Sequence, residues 1–479
     1  IAPLVGTLLQ NQFHDILPGT CIPRVHDESL RQTGQVIEEA EKRIHALLDG
    51  EDEGGFFTVY NTLSFDREDA VYLPVDRDCH VEGNYPQQEI RDLDGGRHLA
   101  VCGLTIPAFG SRVLELLDGK PVRGQEENQA PFTWEDGHLK TPYYRVEFDD
   151  RGFLRSLVDL EAGRELTGEG YPLNAFLVAE DVPEAWDNWD IDADIEDKWR
   201  DCAELLEREV VSCGPVEVRI RSLYRLTKKS RLWQDMIFYS CDRKIAFETK
   251  MDWQDDHRFL KAAFDTSIQS RFARSEVQFG YVERATHRNT KWEKAKFEGS
   301  NHKYTDLSEP GYGIAVLNDC KYGISVENGR MWLSLHKGGC RPDDRGDKGI
   351  HRCAYALLPH KGGLCAESTI RPAYAFNIRP IAAPGADEMS SFVRVSAPNV
   401  LVETVKPMEG ENGYALRLYE AEGTQTRTSI RLKERGMQVL KTNLLEEEGM
   451  ILGSGDELTL EFRPFEIKTI CVRMEGERI

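Results

Sequence analysis

The feature that most constrains the fold is a change of hydrophobic period near residue 50. Before it, Ile37, Ala40, Ile44 and Leu47 recur at three- and four-residue spacing, which lines one face of a helix. After it, short segments alternate apolar and polar residues between turn residues, which is the pattern of β-strands. In one of them alternation over residues 144–148 and a turn at residues 149–152 predict a hairpin with residues 153–160. A helix and a strand need different periods, so we predict a mainly β fold: a short helical start followed by β-sandwich domains.

The helical start contains two helices joined by a turn. Leu4 to Gln12 predicts a short helix without a start signal, so we expect it to begin upstream of Ile1. Pro18-Gly19 marks the turn, and Gly50 suits the C-cap of the second helix.

The β region divides at turn-rich stretches. Polar residues 119–130 are a plausible linker, and a second turn-rich stretch spans residues 382–387. A chain of 479 residues has room for about three or four domains. We predict a helical-bundle remnant (1–50), a small β-sandwich (51–125), a large β-sandwich (126–385) and a C-terminal β domain (386–479).

Charge and cysteine usage exclude some classes of protein. There are 60 Lys and Arg against 82 Asp and Glu, a net charge of −22, which repels phosphate backbones and argues against nucleic-acid binding. We find no apolar run of the roughly 18 residues that a membrane span needs, and no signal peptide. The 11 cysteines form no CxxC pair, so we expect reduced thiols and a cytoplasmic location.

The segment that carries chemistry is Asn11 to Thr20, which contains His14 and Asp15. A histidine before a Pro-Gly turn can present a neutral imidazole nitrogen to a cation while its neighbour contacts a hydroxyl. A lone His-Asp pair is more often a surface or capping pair, because a metal site needs three or four convergent ligands. The residue types alone leave both interpretations open.

Residues 9–20, LQNQFHDILPGT, resemble the helix-end signature of glycoside hydrolase family 38, the zinc-dependent α-mannosidases. The resemblance is to the cytosolic and vacuolar branch, which many bacterial members share. It extends in order over nearly the whole chain, through residues 141–148, 185–192, 280–290, 312–323 and 463–469.

The resemblance implies a fold, a metal and a reaction. In this family a catalytic α/β barrel precedes a helical bundle and β domains, among them a large galactose-mutarotase-like supersandwich. Zinc is held by an early His-x-Asp pair, by a further Asp that is also the nucleophile of a retaining mechanism, and by the His of the signature. By this resemblance His14 is a zinc ligand and Asp15 contacts a substrate hydroxyl.

The barrel, its His-x-Asp pair and the nucleophile have no match in this sequence. We therefore expect the chain to be the C-terminal half of an α-mannosidase, with no catalytic residue of its own and no activity in isolation. The expected cofactor is zinc, completed by ligands from the missing half, and the expected partner is a mannose-containing oligosaccharide.

Two loops are weaker candidates for the site. Trp186, Asp187 and Asp190 lie in an aromatic and carboxylate cluster that suits sugar stacking and hydroxyl binding, although it also fits an ordinary sandwich-edge loop. Arg345 lies in a charged loop resembling one near the family's active site, where it would steady carboxylates of a metal site. The alternative for this loop is a solvated β-turn. His257 is interpreted as a structural, hydrogen-bonded residue.

Two other functions remain open. The chain is alternatively a non-catalytic carbohydrate-binding β-sandwich module, or part of a family member that hydrolyses mannosyl-glycerate or phosphorylated conjugates. The sequence leaves undecided the linkage preference, the choice between zinc and cobalt, and whether the protein forms a homo-oligomer.

Overall fold

A computed structural model of the chain describes residues 2–48, 55–119, 131–135, 138–447 and 449–474. The predicted capping residue Gly50, and all of the predicted linker except Gly119, lie outside these residues. The helical segments are α1 Ala2–Gln10, α2 Pro23–Leu48, the 3₁₀ turn Ala193–Asp197, α3 Lys291–Ala295, the π-helical turn Ala366–Ile370 and α4 Arg371–Asn377.

Strands make up most of the rest. The first twelve are β1 Phe56–Asn61, β2 Val71–Pro74, β3 Cys79–Val81, β4 Gln87–Arg91, β5 Arg97–Val101, β6 Gly110–Asp118, β7 Thr133–Glu135, β8 His138–Lys140, β9 Tyr144–Phe148, β10 Leu154–Asp159, β11 Arg164–Glu165 and β12 Ala175–Glu180. Next come β13 Arg200–Asp201, β14 Glu204–Cys213, β15 Glu217–Arg225, β16 Arg231–Tyr239, β17 Ile245–Trp253, β18 Arg258–Asp265, β19 Phe272–Val277, β20 Gly280–Ala285, β21 Gly299–Ser300, β22 Tyr304–Ser308 and β23 Tyr312–Asn318. The last ten are β24 Gly323–Glu327, β25 Arg330–Lys337, β26 Gly349–Lys361, β27 Ile381–Pro384, β28 Val393–Val395, β29 Val400–Pro407, β30 Gly413–Glu420, β31 Thr426–Thr442, β32 Met450–Phe462 and β33 Ile467–Arg473. The predicted fold class, a short helical start followed by β-sandwiches, is confirmed.

The two N-terminal helices form a hairpin. At the end of α1 the Asn11 side-chain amide donates to the carbonyl of Thr7 and to Oε1 of Gln32 in α2, both at 2.8 Å. Asn11 is buried, although neither helix contains a buried residue. This side chain therefore fastens the end of α1 to α2.

The large sandwich packs a nine-stranded sheet on a six-stranded sheet. The nine-stranded sheet has the order β14-β15-β16-β17-β26-β23-β22-β19-β20, and the six-stranded sheet the order β13-β12-β18-β25-β24-β21. Their inner faces share one apolar core that includes Phe176, Phe247, Trp253, Phe264 and Tyr355. The loops at one end of this core, after β12, β17 and β25, contribute to the candidate site.

Two smaller β units flank the large one. Strands β27-β1-β6-β3 and β2-β5-β4 enclose a core around Val59, Leu73 and Leu114, and strands β28 to β33 form the last six-stranded sheet. A further apolar cluster includes residues of all three units, such as Ala100, Ile237 and Leu401. The β units are therefore packed against one another.

The predicted domain boundaries remain predictions. Strand β27, at the end of the predicted large domain, pairs with β1 of the predicted small domain. Of the helices in the described part of the chain, none combines the length and the apolar character that a membrane crossing needs.

Candidate functional site

After α1 the chain makes a series of tight turns over residues 11–20, which we call the signature turn. The backbone N–H of Thr20 donates to the carbonyl of Asp15 at 3.0 Å. Gly19 has a φ of +74°, in the left-handed region that glycine adopts without steric cost. The Pro18-Gly19 pair thus makes the turn that the sequence predicted.

His14 and Asp15 lie side by side on the surface of this turn. The His14 side chain is 71% exposed and that of Asp15 is 53% exposed, and His14 Nε2 lies 3.6 Å from Asp15 Oδ2. The other carboxylate oxygen of Asp15 accepts from Thr20 Oγ1 at 3.3 Å. Both side chains are accessible to a metal ion or a sugar hydroxyl.

The tryptophan loop, residues 181–192, contains three of the predicted substrate contacts. Trp186 has a φ of 58° and a 76% exposed side chain, and Asp190 is also exposed. Asp187 differs, because it is buried and its Oδ2 accepts from the backbone N–H of Cys340 at 2.5 Å. Trp186 and Asp190 are therefore available to a ligand, whereas Asp187 holds two loops together.

Arg345 lies in the glycine loop, residues 338–348, and forms two ion pairs. Its guanidinium is 2.6 Å from Oδ2 of Asp343 and 2.7 Å from Oδ1 of Asp27 in α2. It also donates to the carbonyl of Pro23, the first residue of α2. The hydrogen bonds that Arg345 donates to Asp343 hold the pKa of the Asp343 carboxyl below its ordinary value. Arg345 thus steadies carboxylates, one of them on the helical hairpin.

The signature turn, the tryptophan loop and the glycine loop meet at one junction. Asn188 Nδ2 donates to the carbonyl of Gly19 at 3.4 Å, and the Asn188 backbone N–H donates to that of Arg341 at 3.1 Å. A cavity of about 420 Å³ opens here, and its lining includes Pro18, Gly19, Asn188 and Asp347. The three sequence-predicted segments are therefore neighbours, although they lie far apart along the chain.

The signature turn alone does not supply a complete metal site. Among the described residues, His14 and Asp15 belong to no set of three convergent donors. A zinc site takes three or four ligands, commonly His nitrogen and carboxylate oxygen. The exposed imidazole of His14 is suited to be one of these ligands.

Sequence reasoning missed one feature of the junction. Asp187, His257 and Cys340 bring their donor atoms together there, although the sequence assigned His257 a structural role and Cys340 no role. Asp187 and His257 are 70 positions apart in the sequence, and His257 and Cys340 are 83 positions apart, so no local spacing indicates that they meet.

Comparisons with known proteins bear on the family of the chain. Residues 139–345 match the glycosyl hydrolases family 38 C-terminal domain, and residues 399–470 match the family 38 C-terminal beta sandwich domain. Human alpha-mannosidase 2C1 is 32% identical over 98% of this chain and 45% of its own length. Alpha-mannosidase G of Dictyostelium discoideum is 27% identical over 98% of this chain and 48% of its own length.

A solved structure has the same fold. The alpha-mannosidase from Enterococcus faecalis V583 superposes with a TM-score of 0.75 at 14% identity, over 98% of this chain and 63% of that chain. The chain spans about half the length of the curated relatives it matches. The two domain matches cover more than half of its residues, and the chain belongs to glycoside hydrolase family 38, of which it carries the C-terminal domains.

Proposed function

We propose that the chain is the C-terminal part of a zinc-dependent, retaining α-mannosidase that removes terminal α-linked mannose from oligosaccharides. The observation that carries the proposal is the junction of the signature turn with the tryptophan loop, joined by the Asn188–Gly19 hydrogen bond. The names of the relatives support the mannosidase activity.

In this proposal the chain supplies one wall of the active site. His14 provides one zinc ligand and Asp15 contacts a substrate hydroxyl, in keeping with their exposure. Zinc, when bound, would act as a Lewis acid toward sugar oxygens. The remaining ligands and the nucleophile belong to a part of the enzyme outside these 479 residues.

Exposed side chains of the tryptophan loop would contact the sugar. The Trp186 ring offers an apolar face for stacking, and the Asp190 carboxylate accepts hydrogen bonds from hydroxyls. Asp187 acts indirectly by fixing the loop through the Cys340 N–H.

The surface of the helical hairpin supports a further protein contact. Four apolar residues here are between 57% and 60% exposed: Leu9 of α1, Phe13 of the signature turn, and Leu30 and Ile37 of α2. Large apolar side chains exposed on one element are typical of a surface that another domain covers. We assign it to the catalytic domain of the same enzyme.

A cytoplasmic location belongs to the same proposal. All 11 cysteines are free, and five of them are buried. Unpaired thiols are the usual state in a reducing compartment.

The test is mannose release from an aryl α-mannoside by an enzyme that includes this chain. We expect His14→Ala to lower the rate by about 100-fold or more, because it removes a metal ligand. The control is His45→Ala, which changes an exposed histidine in the last turn of α2 and should leave the rate unchanged. An equal rate in both variants would contradict the role of His14.

The second part of the test uses the isolated chain. It should not release mannose, because the proposal places the nucleophile elsewhere. Binding of mannose oligosaccharides by the isolated chain without metal would instead favour a carbohydrate-binding module.

A further inference from the structure

Three side chains from three loops converge behind the tryptophan loop. Asp187 belongs to that loop, His257 to the turn between β17 and β18, and Cys340 to the glycine loop after β25. Their donor atoms, one carboxylate oxygen, one imidazole nitrogen and one sulfur, all lie within 4.8 Å of one another. No other set of three such donors occurs in the part of the chain that the structure describes.

Two buried atoms of this cluster form no hydrogen bond with the described residues. The Asp187 side chain is 9% exposed, and while its Oδ2 accepts from Cys340 N, its Oδ1 has no hydrogen-bond partner among the described residues. His257 Nδ1 is also buried and forms no hydrogen bond within the described part of the chain, although the His257 side chain as a whole is 41% exposed, and it lies 3.4 Å from Asp187 Oδ1, within ion-pair distance. An unsatisfied buried polar atom costs about 1–3 kcal/mol, and a cation bound by both atoms would remove this cost.

We propose that Asp187, His257 and Cys340 bind one divalent transition-metal ion, with zinc the best match. Zinc takes thiolate, imidazole and carboxylate ligands at about 2.0–2.3 Å in tetrahedral geometry, which separates the donors by roughly 3.3–3.6 Å. The Asp187–His257 separation agrees with this value. The fourth position is left to water.

The donor set also fits the charge of the ion. On binding, the Cys340 S–H bond breaks, its proton goes to solvent and a sulfur–metal bond forms, while the aqueous ion loses water molecules. The thiolate and the Asp187 carboxylate then balance the two positive charges. Two nearby carboxylates also have lysine partners, since Asp181 pairs with Lys337 at 2.7 Å and Asp256 with Lys348 at 2.6 Å. The Cys340 thiol donates to Oδ1 of Asp256 at 3.4 Å, and metal binding would replace this hydrogen bond.

The surrounding backbone holds the ligands in place. The His257 N–H donates to the carbonyl of Gly338 at 2.7 Å, and its own carbonyl accepts from Asp181 N at 2.9 Å. His257 and Trp186, the neighbour of Asp187, both have positive φ. A metal here would fasten the tryptophan loop, and with it Asn188, against the signature turn. The role is structural and does not depend on the proposed function.

The test uses the purified 479-residue chain, stripped with a chelator and titrated with zinc in a calorimeter, with bound metal counted by mass spectrometry. We expect one zinc per chain. Cys340→Ser and Asp187→Asn, which keep the size of each side chain, should lower the affinity by at least about tenfold. The matched controls are Cys213→Ser, at an exposed cysteine of β14, and His14→Ala, and both should bind like the unaltered chain.

Cobalt(II) gives a readout specific to the ligands. We expect a thiolate-to-cobalt charge-transfer band in the near ultraviolet, which Cys340→Ser abolishes and Cys213→Ser preserves. No binding by the unaltered chain, which would leave Asp187 and His257 as an ion pair only, would overturn the proposal. Equal binding by Cys340→Ser and the unaltered chain would also overturn it. Because His14→Ala should spare this metal while it stops mannose release, failure of one proposal is distinguishable from failure of the other.

Discussion

The side-chain amide of Asn188 donates a hydrogen bond of 3.4 Å to the backbone carbonyl of Gly19. This contact joins the large sandwich to the turn that carries His14. A hydrogen bond near the upper limit of length contributes little stability by itself. Its importance is positional, because it relates the tryptophan loop to the signature turn.

Gly339→Ala should displace Asn188. A Cβ at residue 339 would lie 1.7 Å from Asn188 Oδ1, far inside van der Waals contact, so the Asn188 side chain must move. We expect the free energy of unfolding to fall by about 1–3 kcal/mol in urea titrations. Amide exchange at Gly19 and Thr20 should also become faster.

Gly363→Ala is the control for this change. It also follows a Lys-Gly pair, and an added Cβ there meets nothing within 4 Å. Equal stability of the two alanine variants would show that residue 339 tolerates a side chain.

Arg345→Ala should loosen the helical hairpin without unfolding the chain. The Arg345 side chain donates to Asp27 and to the carbonyl of Pro23, both near the start of α2. The ion pair with Asp27 is exposed, so its loss should change the global free energy of unfolding by no more than about 1 kcal/mol. Hydrogen exchange should rise in residues 23–31, which the arginine tethers.

For comparison, Arg43→Ala removes an exposed pair with Glu39 inside α2 and should leave exchange at residues 23–31 unchanged. Unchanged exchange there in Arg345→Ala as well would mean that other contacts hold the hairpin.

Local patterns in the sequence predicted the elements well. The hairpin of β9 and β10 follows from alternation in Tyr144 to Phe148 and from a turn at Asp149, whose side chain accepts the N–H of Phe153. Helix α2 follows from its apolar period. In both cases the residues that decide the structure are close in sequence.

The pairing of strands that lie far apart in the sequence cannot be predicted from such local patterns. Strand β27 pairs with β1 across more than 300 residues, and Thr58 Oγ1 donates to the carbonyl of Gly385. The convergence of Asp187, His257 and Cys340 has the same origin, since three loops meet only after the sheets stack. The motif containing His14 was recognisable because its residues are contiguous.

Arg219→Met should destabilise the large sandwich strongly. The buried guanidinium of Arg219 pairs with Glu217 at 2.8 Å and with Asp235 at 3.0 Å, and both carboxylates are fully buried. Removing the arginine leaves the Glu217 carboxylate without its ion-pair partner and Asp235 with Arg221 alone. Breaking a buried pair in this way typically costs about 3–5 kcal/mol. Urea unfolding followed by fluorescence measures the loss.

Arg225→Met provides a control in the same strand, because its pair with Glu204 is exposed and should contribute at most about 1 kcal/mol. A loss in Arg219→Met as small as that of the control would contradict the importance of the buried network.

His336 should make the fold sensitive to acid. Burial, and to a smaller extent His351, lowers the pKa of His336 to about 2, below the value of about 6.5 expected in the unfolded chain. Between these values only the unfolded chain takes up the proton. The contribution of neutral His336 to the free energy of unfolding is therefore complete above pH 6.5. It is lost as the pH falls, by up to about 1.4 kcal/mol per pH unit.

His336→Phe should remove this part of the acid sensitivity. Nε2 of His336 has no hydrogen-bond partner among the described residues, and the ring packs 4.7 Å from that of Trp253, so an aromatic replacement keeps the packing. We expect the loss of unfolding free energy between pH 7 and pH 5 to be smaller than in the unaltered chain by on the order of 2 kcal/mol. His45→Phe, at an exposed histidine of α2, should keep the original pH dependence. If His336→Phe and the unaltered chain lose the same free energy, another group accounts for the acid sensitivity.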